Sequence, residues 1–121
     1  MSTKILCVDD DPHVLAGYQR GLRKQFTLDT ALGGEAGLEL LWHEGPFAVV
    51  VADMNMPGMN GIEFIKEVRT LPNYKFMPIL FLTTESQQSK RLEAKAAGAS
   101  GWLVKPATAD ELLGTIKLVI R

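Results

Sequence analysis

The 121-residue sequence has one cysteine, two histidines, no internal repeat and no long apolar run. Cys7 alone rules out a disulfide within the chain and fits a reducing, cytoplasmic setting, with a small buried strand residue as its role. Lys4 is followed by only four apolar residues before an acidic run, too short for a signal peptide. No stretch approaches the roughly 20 apolar residues of a transmembrane helix, so no membrane partner is expected. Charge of one sign is also missing. Thirteen basic residues face 14 acidic ones, for a net charge of −1, which excludes an electrostatic footprint for direct nucleic-acid binding. His13 and His43 have no ligand partners at metal spacing and read as solvated helix residues. With no linker or low-complexity stretch, residues 1–121 are expected to form one domain.

What is present is hydrophobic residues at 46%, enough for a core, arranged as strand-like runs alternating with helix-like ones. The strands are expected at 5–8, 26–31, 47–52, 78–82 and 101–104. Asp11-Pro12 reads as an N-cap with proline at the first helical position, and Val14, Leu15, Tyr18 and Leu22 then recur at helical spacing. Leu38, Leu41 and Trp42 are expected to form the inward face of the second helix, which Gly45-Pro46 stops. Ile62, Phe64, Ile65, Val68 and Leu71 mark the third helix. A fourth, alanine-rich helix is expected over 86–97, closed by Gly98, and a fifth over 110–120. Five alternations of β and α predict an α/β, doubly wound parallel sheet with helices on both faces and right-handed crossovers.

Four strand ends carry polar residues suited to phosphate chemistry. They are Asp9 and Asp10, Asp53, Thr83, and Lys105. A doubly wound sheet binds ligands at the carboxyl ends of its strands, so all five side chains converge on one edge. Three crowded carboxylates require either raised pKa values or a divalent cation. Oxygen-only donors suit Mg²⁺, with Mn²⁺ as a substitute, better than zinc. Asp53 then has the chemistry of a nucleophile toward phosphorus, while Lys105 and the metal neutralise the phosphoryl oxygens and Thr83 donates a hydrogen bond.

The segments CVDDDP (7–12), VADMNMPGMNGIE (51–63), LTTES (82–86) and GWLVKP (101–106) together resemble the receiver domain of two-component response regulators, over essentially the whole chain. The resemblance implies a flavodoxin-like fold with strand order 2-1-3-4-5. It implies Asp53 as phosphoacceptor, Asp10 as direct metal ligand and Asp9 as an acid acting partly through metal-bound water. The backbone carbonyl of Asn55 would complete the metal site. Thr83 would be the switch hydroxyl, Lys105 the phosphate-binding lysine, and Trp102 the aromatic switch. Asn55 and Glu85 match the positions that tune hydrolysis, in a pairing similar to chemotaxis-type regulators. The Lys105–Pro106 bond is expected to be cis. The implied partners are a histidine kinase or phosphotransfer protein and a downstream protein on the surface formed by the fourth helix, fifth strand and fifth helix. The protein would be a phosphoacceptor that assists its own phosphorylation and dephosphorylation, not an enzyme with a free substrate.

Ala107 departs from the family pattern, which usually has phenylalanine there; this loosens the expected coupling between site and switch face. Asp11 is assigned to helix capping rather than to metal. Met54, Met56 and Met59 are assigned to loop packing. A phosphohydrolase is disfavoured because Asn55 stands where such enzymes place a second acid. The alternatives to a stand-alone switch are a receiver fragment of a regulator with a cyclic-di-GMP or DNA-binding output, and an engineered chimera. The latter reading arises because residues 1 to about 50 look like receivers joined to cyclic-di-GMP phosphodiesterases, whereas 71–106 look like chemotaxis regulators.

Overall fold

The computed structural model describes residues 3–84 and 88–120. Five strands, β1 (Lys4–Asp9), β2 (Thr27–Leu32), β3 (Val49–Asp53), β4 (Ile79–Thr83) and β5 (Gly101–Val104), form one parallel sheet in the order β2-β1-β3-β4-β5. Five helices connect or follow them: α1 (Pro12–Leu22), α2 (Gly34–His43), α3 (Gly61–Thr70), α4 (Gln88–Ala97) and α5 (Ala109–Val119). A 3₁₀ turn at Pro72–Tyr74, which the periodicity did not reveal, follows α3.

The sheet sorts its side chains by the two-residue strand period. Leu6, Val8, Val50, Ala52, Ile79 and Phe81 face one apolar layer with residues of α2, α3 and α4. Ile5, Cys7, Val49, Val51, Leu80 and Leu82 face the other, with α1 and α5. Every residue of β3 and β4 is buried, as expected for central parallel strands covered on both sides. The expected doubly wound order is therefore the observed one.

Local chemistry explains where elements start. The Asp11 carboxylate accepts a hydrogen bond from the His13 N–H at 2.9 Å, so α1 begins at Pro12. Asn60 and Glu63 form a reciprocal capping box on α3, and Thr108 and Glu111 form another on α5. The Thr108 cap is why α5 starts at Ala109 rather than at Asp110. Gly98, at φ 118°, closes α4. The Lys105–Pro106 bond is cis as expected, and Gly45–Pro46 is cis as well. The expected start of α4 at Ser86 lies outside the described residues.

One expectation about the core is corrected. Leu41 is buried and Leu38 half-buried, but Trp42 is 67% exposed rather than inward. The buried stripe of α2 runs through Gly34, Gly37 and Leu41. A Cβ on Gly37 would lie 2.9 Å from Val8 Cγ2, so α2 sits too close to the sheet to admit an indole beside that stripe. Trp42 therefore occupies the shoulder of the helix.

Candidate functional site

Strand register builds the site. Val8 is level with Ala52, so Asp9 and Asp53 end neighbouring strands at the same height. Asp53 is level with Leu82, which sets Thr83 one residue further along the rim. Thr83 is level with Val104, so Lys105 leaves the sheet one residue beyond it. Backbone hydrogen bonds tie this rim together, from Met54 N–H to Leu82 C=O at 2.9 Å and from Lys105 N–H to Thr83 C=O at 2.8 Å. The N-terminus of α3 approaches from the side. Gly61 donates its N–H to the Met54 carbonyl at 2.9 Å. A Cβ at Gly61 would stand 2.6 Å from the Asp53 carbonyl oxygen and 2.8 Å from Met54 Cα, so only glycine lets α3 reach the strand end.

Asp9, Asp10 and Asp53 each bring a carboxylate oxygen within 4.8 Å of the others. Asp9 and Asp53 are buried, at 3% and 2% exposure, while Asp10 is exposed. Lys105 Nζ forms an ion pair with Asp53 Oδ1, although that oxygen has no aligned hydrogen bond. Asp9 Oδ1 accepts from the Asp11 N–H at 2.9 Å, and Asp9 Oδ2 is buried without a hydrogen-bond partner. Burial, and secondarily the Asp53 charge, push the Asp9 carboxyl up to about 6 against the lowering effect of the Asp11 N–H. A buried carboxylate oxygen left unsatisfied beside two more carboxylates is the expected state of a cation site. The all-oxygen donor set fits a hard divalent ion such as Mg²⁺.

Thr83 is fully buried, and its hydroxyl donates to the Thr84 carbonyl at 3.3 Å. Trp102 lies on β5 beside Phe81, with ring centroids 6.3 Å apart. It is 45% exposed, and the Arg91 guanidinium of α4 stacks on it at 5.1 Å. That cation over the ring was not anticipated from sequence. Neither was the Asp11 N–H on Asp9, although that bond follows from the capped turn after β1. Asn55 is exposed on the loop after β3, and Glu85 lies outside the described residues. Cys7 is buried, and burial raises its thiol to about 12, so its reading as an inert core residue agrees with its environment. Met54 and Met56 are buried and Met59 packs against the same core, in keeping with loop packing. Ala107 lines an opening of about 260 Å³ together with Val14, Gly17, Tyr18 and Ala109. Tyr18 spans its edge by donating its hydroxyl to the Ala107 carbonyl at 3.1 Å.

Fold and rim together define a class: a flavodoxin-like, doubly wound domain whose carboxyl edge holds clustered acids, a buried hydroxyl and a paired lysine. The family model described as "Response regulator receiver domain" matches residues 5–117, and the chain belongs to that family, whose members are signalling phosphoacceptors of two-component systems. Chemotaxis protein CheY of Pseudomonas aeruginosa is 37% identical over 118 residues, covering 96% of this chain and 94% of that protein. Transcriptional regulatory protein PrrA of Mycobacterium tuberculosis is 36% identical over 121 residues, covering 99% of this chain and 51% of that protein. The solved structure of chemotaxis response regulator CheY4 of Vibrio cholerae superposes with a TM-score of 0.91 at 41% identity, covering 98% of this chain and 99% of that one. The chain thus spans about half the length of the transcriptional regulators it matches and nearly the full length of the chemotaxis proteins.

Proposed function

We propose that Asp53 accepts a phosphoryl group from a phosphohistidine of a histidine kinase or phosphotransfer protein. The observation that carries this reading is the buried Asp53 carboxylate, ion-paired to Lys105 and flanked by Asp9 with its unsatisfied oxygen. An Asp53 oxygen attacks phosphorus, the P–N bond of the donor breaks, and its imidazole leaves with the bond electrons. Asp9 and Asp10, with Asp53 and the Asn55 carbonyl, would hold Mg²⁺ (or Mn²⁺). The bound cation supplies charge neutralisation for the equatorial phosphoryl oxygens. Lys105 stabilises the same oxygens from its place beside Asp53. The Thr83 hydroxyl gives up its local carbonyl partner to donate to the phosphoryl group.

Phosphorylation is then a local charge event that biases a two-state surface. Movement of Thr83 frees space toward which Trp102 turns, and the α4-β5-α5 face changes its affinity for a downstream protein in the cytoplasm. Asn55 and Glu85 set the lifetime of the aspartyl phosphate, so the protein assists its own dephosphorylation. The whole of 1–121 acts as one receiver unit. The full reading frame of the gene distinguishes a stand-alone switch from the receiver of a longer regulator with a DNA-binding or cyclic-di-GMP output, and separate family comparisons of the two halves of the sequence test for an engineered chimera.

The test is incubation with acetyl phosphate and Mg²⁺ followed by intact-mass spectrometry. One phosphoryl group should be gained, labile to hydroxylamine, and absent in Asp53→Asn. No gain in the unaltered protein, or equal gain in the variant, would overturn the assignment.

A further inference from the structure

The exposed Trp42 sits on the helical layer of α2 and α3, away from the phosphoacceptor residues and from the α4-β5-α5 face. Glu35, Leu38, Glu39 and Trp42 recur at i, i+3, i+4 and i+7, so they form one stripe along α2. Across from it stand Glu67 of α3 and Leu71 just after it. These six residues line a groove of about 330 Å³. Leu71 and Trp42 also line a second, contiguous depression of about 290 Å³ that runs toward Tyr74. The floor is thus apolar and the rims carry three carboxylates. Among the described residues that line either depression there is no lysine or arginine. His43 lies 3.3 Å from Glu39, the Arg69 guanidinium is engaged by the Tyr74 and Gly98 carbonyls, and among the described residues neither Glu35 nor Glu67 forms an ion pair.

We infer that the α2–α3 groove is a docking surface for a basic amphipathic helix of a partner protein. An apolar side chain of that helix would enter between Trp42 and Leu71, and its lysines or arginines would face Glu35, Glu39 and Glu67. The geometry is the helix-in-groove mode, in which an apolar stripe supplies affinity and rim charges supply orientation. A solvent-exposed tryptophan between two depressions is the residue type that concentrates binding energy at such surfaces. The charge pattern selects the occupant: an acidic or neutral helix would leave three carboxylates facing its backbone or its own acids. This surface is independent of phosphoryl transfer at Asp53, so it stands or falls separately from that reading.

The test uses the Trp102→Phe protein, in which Trp42 is the single tryptophan. The probe is a leucine/lysine amphipathic peptide of about four helical turns, with a leucine/glutamate peptide of the same pattern as control. Saturable binding with a blue shift of Trp42 emission is expected for the first peptide and none for the second. Glu35→Gln, Glu39→Gln and Glu67→Gln combined should weaken binding about tenfold, and Trp42→Ala should do at least as much by calorimetry. All four positions are exposed, and far-ultraviolet circular dichroism verifies that the fold is kept. An unshifted Trp42 emission, or equal affinity in the glutamine variant, would overturn the inference. Concentration-dependent dimerisation that Trp42→Ala abolishes would assign the groove to a second copy and overturn it too.

Discussion

Replacing Asp9 with asparagine should stabilise the metal-free protein while removing its response to magnesium. Asp9 is buried, and one of its oxygens lacks a partner. Its carboxyl is pushed from an ordinary 3.8 up to about 6, first by burial and then by Asp53. Between those two values the folded state binds the proton that the unfolded state has released. Stability from this group therefore falls as pH rises from about 4 to about 6, and stays low above that. The full rise would correspond to about 3 kcal/mol at 1.36 kcal/mol per unit. Asp10 is exposed at the same strand end, so water screens the interaction and roughly 1–2 kcal/mol is the working figure. Asparagine keeps an oxygen for the Asp11 N–H and carries no charge to bury. Urea denaturation at pH 8 without metal should therefore show Asp9→Asn more stable by that amount, and its stability should lose the slope between pH 4 and 6. Magnesium at a hundredfold excess over its dissociation constant should add about 2.7 kcal/mol to the unaltered protein, and much less to the variant. Equal magnesium stabilisation of both proteins, or a variant less stable than the parent at pH 8, would refute the account of Asp9 as a desolvated cation ligand.

Gly61→Ala should destabilise the fold by about 1–3 kcal/mol, because the new methyl meets backbone atoms of Asp53 and Met54 at 2.6 and 2.8 Å, and backbone has no rotamer with which to yield. Chemical denaturation reads the loss, and slower labelling by acetyl phosphate should accompany it because the same contact places Asp53. Arg91→Ala removes the guanidinium stacked on Trp102, a contact worth about 0.5–1 kcal/mol. Steady-state emission and acrylamide quenching in a Trp42→Phe background should show Trp102 more mobile, and unchanged quenching would show that the stack does not hold the ring.

Much of this site was legible because its signals are local in sequence. An apolar run followed by Asp9-Asp10, by Asp53, by Thr83 or by Lys105 marks a strand end, and the alternation with helices makes the strands parallel. Asp11 as a cap was equally readable, since capping involves only the next few residues. Trp42 was misplaced for a reason that sequence does not carry. Helical periodicity put it within reach of the core, but the approach of α2 to the sheet at Gly37 decided how wide the buried stripe could be. The start of α5 moved for a subtler reason, because Thr108 and Asp110 are both acceptable caps and only Thr108 has Glu111 three residues on.

By itself the amino-acid order determined which chemical groups the protein owns and that each stands at the end of a strand. That information is one-dimensional, because strand period, capping and turn chemistry all act over a few residues. Tertiary structure alone decided how those groups meet. Pairing register brings Asp9 level with Asp53, the close approach at Gly61 holds the Asp53 backbone, and the cleft between α2 and α3 leaves Trp42 and three glutamates facing solvent. Each depends on the distance between elements far apart in the chain, which packing of the two apolar layers sets.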